Sequence, residues 1–102
     1  MSKPRSLGTR EIHLINLYSQ WQFTMTPQEF YGKWAVSYEQ ISLICYRSDS
    51  TVRGWFKQGK LQRHPHFNDL RHLALMDFML EHFEEIPDQV LQILLPAMHI
   101  KL

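Results

Sequence analysis

At 102 residues and 12.3 kDa the chain is long enough for one domain with its own core, and a 44% hydrophobic, 13% aromatic composition excludes a disordered tail. No run approaches the roughly 20 apolar residues that a membrane span needs, and Arg10 and Glu11 interrupt any signal-peptide-like stretch near the start. One cysteine cannot close an internal disulfide, so a reducing, cytoplasmic setting is expected. The net charge of +1 hides an asymmetry: residues 1–66 carry nine Lys/Arg against four acids, a net of +5, and residues 67–102 carry two against six, a net of −4. A local potential of this kind steers a polyanion more than the total does. The alternative is that both sets are ordinary solvated surface.

Residues 1–8, MSKPRSLG, read as a loose basic arm. Such arms enter a minor groove in some proteins and are frayed termini in most. Thr9 is placed to cap a helix running to about residue 20, with Ile12, Leu14, Ile15, Leu17 and Tyr18 as a broad apolar face that Trp21 and Phe23 extend. A strand over 21–25 is open by composition, but it would have no partner. Thr26, Pro27 and Glu29 then mark a helix start as N-cap, first-position proline and capping-box glutamate. Phe30, Tyr31 and Trp34 give that helix an aromatic inner face.

Ser37 and Gln40 form the next capping box, opening a helix whose Ile41, Ile44 and Cys45 share one face. It stops near 46–47. Ser48 offers another N-cap with Asp49 in the first turn, where a negative group suits the helix dipole. Val52, Trp55 and Phe56 follow at i, i+3, i+4 and point inward, which leaves Arg53, Gly54 and Lys57 for the other face. Gly59 is the expected C-cap, and Pro65 biases His64 away from helix in the connector 61–67.

Asn68 is the expected cap of a helix over 69–84, with Leu70, Leu73, Ala74, Leu80 and Phe83 as candidate core. A short helix over 87–95 follows, ended by Pro96. Met76, Phe78, Met79, Leu91, Leu94 and Leu95 offer more apolar surface than a small core absorbs, so a homodimer packed across a two-fold axis is expected, with an intramolecular fold-back as the alternative. There is no internal repeat, low-complexity segment or second domain. The fold expected is all-α, a single-domain bundle of five or six helices.

The stretch 37–57, SYEQISLICYRSDSTVRGWFK, resembles the helix-turn-helix motif of DNA-binding regulators. The resemblance rests on Ile41, the small Ser42, Cys45, the Ser48, Thr51 and Val52 run, and Trp55 followed by Phe56 and Lys57. The whole chain is also similar to small helix-turn-helix proteins of cyanobacteria. Two positions depart from the pattern. Tyr46 stands where glycine is usual and must accept a left-handed conformation, and Arg47 stands where an apolar residue is common and is expected to snorkel outward.

The resemblance implies that the second helix enters the major groove of double-stranded DNA. Arg47, Ser48, Asp49, Ser50, Thr51, Arg53, Gly54, Lys57, Lys60 and Arg63 are then the candidate DNA-binding residues. Arg53 is the expected base reader because its planar fork matches the O6 and N7 acceptors of guanine. Lys57, Lys60 and Arg63 would meet phosphates, and Gly54 would let backbone approach closely. Five of the six charges over 47–63 are positive. The alternative is a helical adaptor using the same surface to bind an acidic protein or a polymerase subunit.

Other chemistry is thinly represented. His64, His66 and His72 are clustered, but their spacing matches no zinc pattern, so no metal or other cofactor is expected. Cys45 falls on an apolar face where thiols are inert packing, and Glu84 and Glu85 read as surface acids. No phosphate loop, His-Glu-x-x-His or nucleophile elbow is present, so neither an enzyme nor a small-molecule substrate is expected.

Overall fold

Three side-chain caps decide where this chain turns into helix. The computed structural model describes residues 3–20 and 22–94, and among them there is no strand. Six α-helices run α1 (Thr9–Ser19), α2 (Pro27–Lys33), α3 (Tyr38–Cys45), α4 (Asp49–Trp55), α5 (Phe67–Glu81) and α6 (Asp88–Leu94). Single 3-10 turns lie at Gly59–Leu61 and Phe83–Glu85. The fold is all-α.

Thr26 caps α2 and Ser37 caps α3, each in a reciprocal capping box, with Glu29 and Gln40 returning to the cap N–H at 3.1 and 2.9 Å. Ser48 caps α4 by accepting from the Thr51 N–H at 3.2 Å. Local sequence alone therefore fixes the starts of the three central helices.

Their inner faces make one core. Phe30 of α2, Ile41 and Cys45 of α3, Val52 and Trp55 of α4 and Leu73 of α5 are buried together, with Trp34, Ile44, Phe56 and Met76 packed against them. The i, i+3, i+4 spacing places each side chain inward, and burying one such side chain stabilises the fold by about 1.5–3 kcal/mol. α3 packs on both α4 and α5, and α2 on α5.

Polar ties lock the same contacts. Gln28 Nε2 donates to the Trp55 carbonyl at 2.8 Å, satisfying an orphan acceptor at the end of α4. On the other side of α2, Trp34 Nε1 donates to Asp77 at 2.9 Å, and Lys33 Nζ lies 2.8 Å from Asp77 and 2.7 Å from Glu81. Burial alone would push the Asp77 carboxyl up, but the bonds from Lys33 and Trp34 outweigh it and hold the group below its ordinary value. Those carboxylates in turn raise Lys33, chiefly through the bond it donates to Asp77.

Several expectations are corrected. Helix α1 buries nothing: Ile12, Leu14, Ile15, Leu17 and Tyr18 are all exposed, as is Phe23. Its N-cap is Gly8, with Thr9 already helical. The strand left open over 21–25 is not present among the described residues 22–25, where Met25 donates its N–H to the Leu70 carbonyl at 3.1 Å. Helix α5 begins at Phe67, not at Asp69, and Asn68 does not cap it. The Asp69 carboxylate does so from within the first turn, accepting the His66 N–H at 2.9 Å. α5 ends at Glu81, and Leu80 and Phe83 are only partly covered, 36% and 43% exposed. Tyr31 is also exposed, with its ring 5.2 Å from Tyr38 and 5.3 Å from Phe56. Leu91 of α6 is buried. Trp21, Leu95, Pro96 and the side chain of Leu94 lie outside the described residues.

The turn between α3 and α4 stores strain. Tyr46 adopts φ 57° and ψ 47°, among the described residues the only non-glycine with positive φ, and its side chain is 96% exposed. The left-handed conformation costs an L-residue roughly 1–2 kcal/mol. Glycine removes that cost but gives back about 0.4–1 kcal/mol through a freer unfolded chain. Tyr46→Gly should therefore raise stability by about 0.5–1 kcal/mol, read as a higher urea midpoint at unchanged slope. An unchanged or lower midpoint would mean that Tyr46 relaxes out of this conformation or packs usefully there.

Candidate nucleic-acid interface

Helix α4 and the segment after it carry most of the candidate DNA-binding residues, and the structure sorts them into two groups. The first is occupied holding the fold. Arg47 does not snorkel free: its Nε and Nη2 donate to the two oxygens of Asp69 at 2.9 and 3.3 Å. Asp69 is 1% exposed. The hydrogen bond to that carboxylate is the main reason the guanidinium pKa is raised. The outward snorkelling expected of Arg47 is thus corrected: its guanidinium ties the turn to Asp69.

Gly54 is corrected as well. It is buried, not on the outer face. A Cβ built there would lie 2.9 Å from Cδ of Arg63 and 3.1 Å from its Cγ, and the Arg63 N–H donates to the Gly54 carbonyl at 2.9 Å. The close approach that the glycine permits is made by the protein's own connector. The stem of Arg63 lies across α4, although the residue as a whole is exposed.

Asp49 is exposed but turned toward α3. The Ser42 hydroxyl, with one proton, lies 2.9 Å from its Oδ1 and 2.6 Å from the Glu39 carbonyl. Ser48 is absorbed in capping, and its Oγ lies 3.1 Å from Ser50 Oγ and 2.9 Å from Thr51 Oγ1. Thr51 is half-buried, Ser50 exposed.

The second group faces outward: Ser50, Arg53, Lys57 and Lys60. Arg53 Nη2 lies 3.1 Å from Glu39 Oε1, with the guanidinium 5.6 Å from the centroid of the Tyr38 ring. Both partners of that pair are 55% exposed, so it is an exposed contact of the class worth 1 kcal/mol or less, readily exchanged for another anion. The helix ends at Trp55 with Phe56 as C-cap, not at Gly59. Lys57 consequently lies beyond the helix, and Gly59, at φ 72°, turns the chain into the 3-10 turn that carries Lys60. Neither lysine forms an ion pair with a described residue.

Two residues of this arrangement were not among the candidates. Glu39 and Tyr38 hold Arg53, and their signal in the sequence is their place in the first turn of α3, facing α4 across the turn. Cys45 is buried, with its thiol pushed up to about 12 by desolvation first and the nearby Asp69 charge second. A thiol so placed is not a nucleophile near neutral pH. Among the described residues no cluster of three or more His, Cys, Asp or Glu could hold a metal ion, and no helix is long and apolar enough to cross a membrane.

No family model, curated protein or solved structure matches this chain. The geometry itself offers a short helix with a rigid inner face and a cationic, hydroxyl-bearing outer face.

Packing of Arg63 across Gly54 is directly testable. In an open helix position Gly→Ala gains about 1 kcal/mol of propensity, whereas overpacking costs typically 1–3 kcal/mol. The hydrogen bond from the Arg63 N–H holds its Cβ in place, so room for the new methyl requires Cγ and Cδ of Arg63 to change rotamer and give up their packing on α4. Gly54→Ala should destabilise by up to about 2 kcal/mol in urea unfolding. A gain of stability would show that Arg63 does not rest on α4.

Proposed function

We propose that α3 and α4 form a helix-turn-helix unit and that the protein binds double-stranded DNA sequence-specifically as a cytoplasmic transcriptional regulator. The observation that carries this reading is the division of α4 into two sides. Val52 and Trp55 are buried in the core, while Ser50 and Arg53 face solvent with Lys57 and Lys60 beyond them. A helix held this way can present its exposed side to base edges, with lysines beyond its far end to meet phosphates. Arg53 is the base reader, prepositioned by Glu39 and Tyr38. Ser50 offers a hydroxyl beside it. Of the remaining candidates, Arg47 and Gly54 are given to the fold, and Asp49 keeps its carboxylate against α3.

A single unit of this size reads few base pairs, and a second copy would supply the matching half-site about 34 Å away. We therefore propose a homodimer. The adaptor reading keeps one observation in its favour: Arg53 already binds a carboxylate, that of Glu39, and an acidic protein could supply others.

Alanine substitutions separate the roles. Arg53→Ala should lose roughly 1–3 kcal/mol on a selected duplex and relax the preference at one base pair. Lys57→Ala should weaken all duplexes alike and lower the salt slope by about one unit. Fluorescence anisotropy on selected and scrambled duplexes across a salt series measures both. Absence of duplex binding at low salt would leave the acidic-protein partner. Normal binding by both variants would place the reader elsewhere on the chain.

A further inference from the structure

Helix α1 exposes the five large apolar side chains Ile12, Leu14, Ile15, Leu17 and Tyr18 at 49–66% each and buries none. It has 11 residues, and Gly8 at its start supplies no side-chain cap. Helices this short are marginal in water and owe their stability to packing of an apolar face. α1 meets its own chain at its C-terminal end, where the Arg71 guanidinium sits 4.9 Å from the centroid of the Tyr18 ring. The rest of the helix stands clear of the core.

The C-terminal part of the chain exposes a second set of large apolar side chains. Phe78 of α5, Phe83 in the turn after it, and Val90 and Ile93 of α6 are 43–76% exposed. The same stretch, 78–93, carries the acids Glu81, Glu84, Glu85 and Asp88. Lys33 engages Glu81 and His82 engages Glu85, while Glu84 and Asp88 form no ion pair with a described residue. The segment carrying α1 has the opposite sign, with Lys3, Arg5 and Arg10 against Glu11 alone.

We propose that α1 is an exchange arm. Its apolar face docks on the outer α5–α6 surface of a second copy, whose α1 docks reciprocally. Opposite charges at the rim set the orientation, and the apolar side chains are covered at the centre. Each of the two surfaces offers on the order of 400 Å2 of apolar area, and a copy contributes both, which reaches the ~800 Å2 per partner typical of a stable interface. The proposal rests on the pairing of copies put forward above, but not on DNA binding, because it predicts the dimer without DNA.

Light scattering and sedimentation of the full chain at micromolar concentration should give twice the 12.3 kDa chain mass. Leu14→Asp on the arm and Ile93→Asp on the face should each raise the dimer Kd about tenfold or more. Both residues are exposed in the single chain, at 66% and 76%, so thermal midpoint and tryptophan fluorescence at dilutions where wild type is monomeric should stay unchanged. Mixing the two variants is decisive. The intact arm of the Ile93→Asp copy meets the intact face of the Leu14→Asp copy, so the mixture should dimerise more tightly than either variant alone. A wild-type monomer, or a Leu14→Asp chain that dimerises normally, would overturn the proposal. So would a mixture no better than its parts, which would point to α1 pairing with α1. A monomer that still binds duplex removes the exchange arm and leaves the DNA reading, and a dimer that ignores duplex does the reverse.

Discussion

The carboxylate of Asp69 is the group that seats the turn between α3 and α4 on α5. Buried anions are tolerated only where hydrogen bonds and an opposite charge replace water. Here Oδ1 accepts from Arg47 Nε, while Oδ2 accepts from Arg47 Nη2 and from the His66 N–H. Arg47 directly follows the left-handed Tyr46, so the charge pair joins the turn after α3 to the first turn of α5. The Cys45 thiol, donating to the Asp69 carbonyl at 3.8 Å, closes the same seam. Among the described residues these are the polar contacts that set where the α3–α4 turn sits on α5.

The outer side of α4 follows from this. Val52 and Trp55 fill the core from one side, and the Arg63 connector covers Gly54 on another. Gln28 closes the carboxyl end by donating to the Trp55 carbonyl. On α4 the strip bearing Ser50 and Arg53 stays exposed, with Lys57 and Lys60 beyond the helix end. The Arg53 contact with Glu39 orients the guanidinium yet is exposed enough to be exchanged for a stronger anion. On the DNA-binding reading this is preorganisation: the side chain is aimed before the partner arrives.

What was legible in the sequence was local. Thr26, Ser37 and Ser48 announce their helices because a cap and its target lie three residues apart. Ile41, Cys45, Val52 and Trp55 declare themselves core by spacing alone. What could not be read is what meets what across the chain. Arg47 looked like a free cation because its partner lies 22 residues on. Gly54 looked like an opening toward a ligand, since nothing in its neighbourhood shows that Arg63 returns to cover it. The α5 cap was misplaced at Asn68 because a carboxylate inside the first turn does the capping usually given to the N-cap side chain. The apolar face of α1 was correctly seen, but periodicity says that a face exists and not which surface covers it.

The most direct test of the account is residue-resolved: an amide NMR titration of the full chain with a selected duplex. The account predicts the largest shifts at Ser50, Arg53, Lys57 and Lys60, with the guanidinium signal of Arg47 unmoved because Asp69 holds it. Shifts centred on Arg47, or on α1 and α6 with α4 silent, would contradict it.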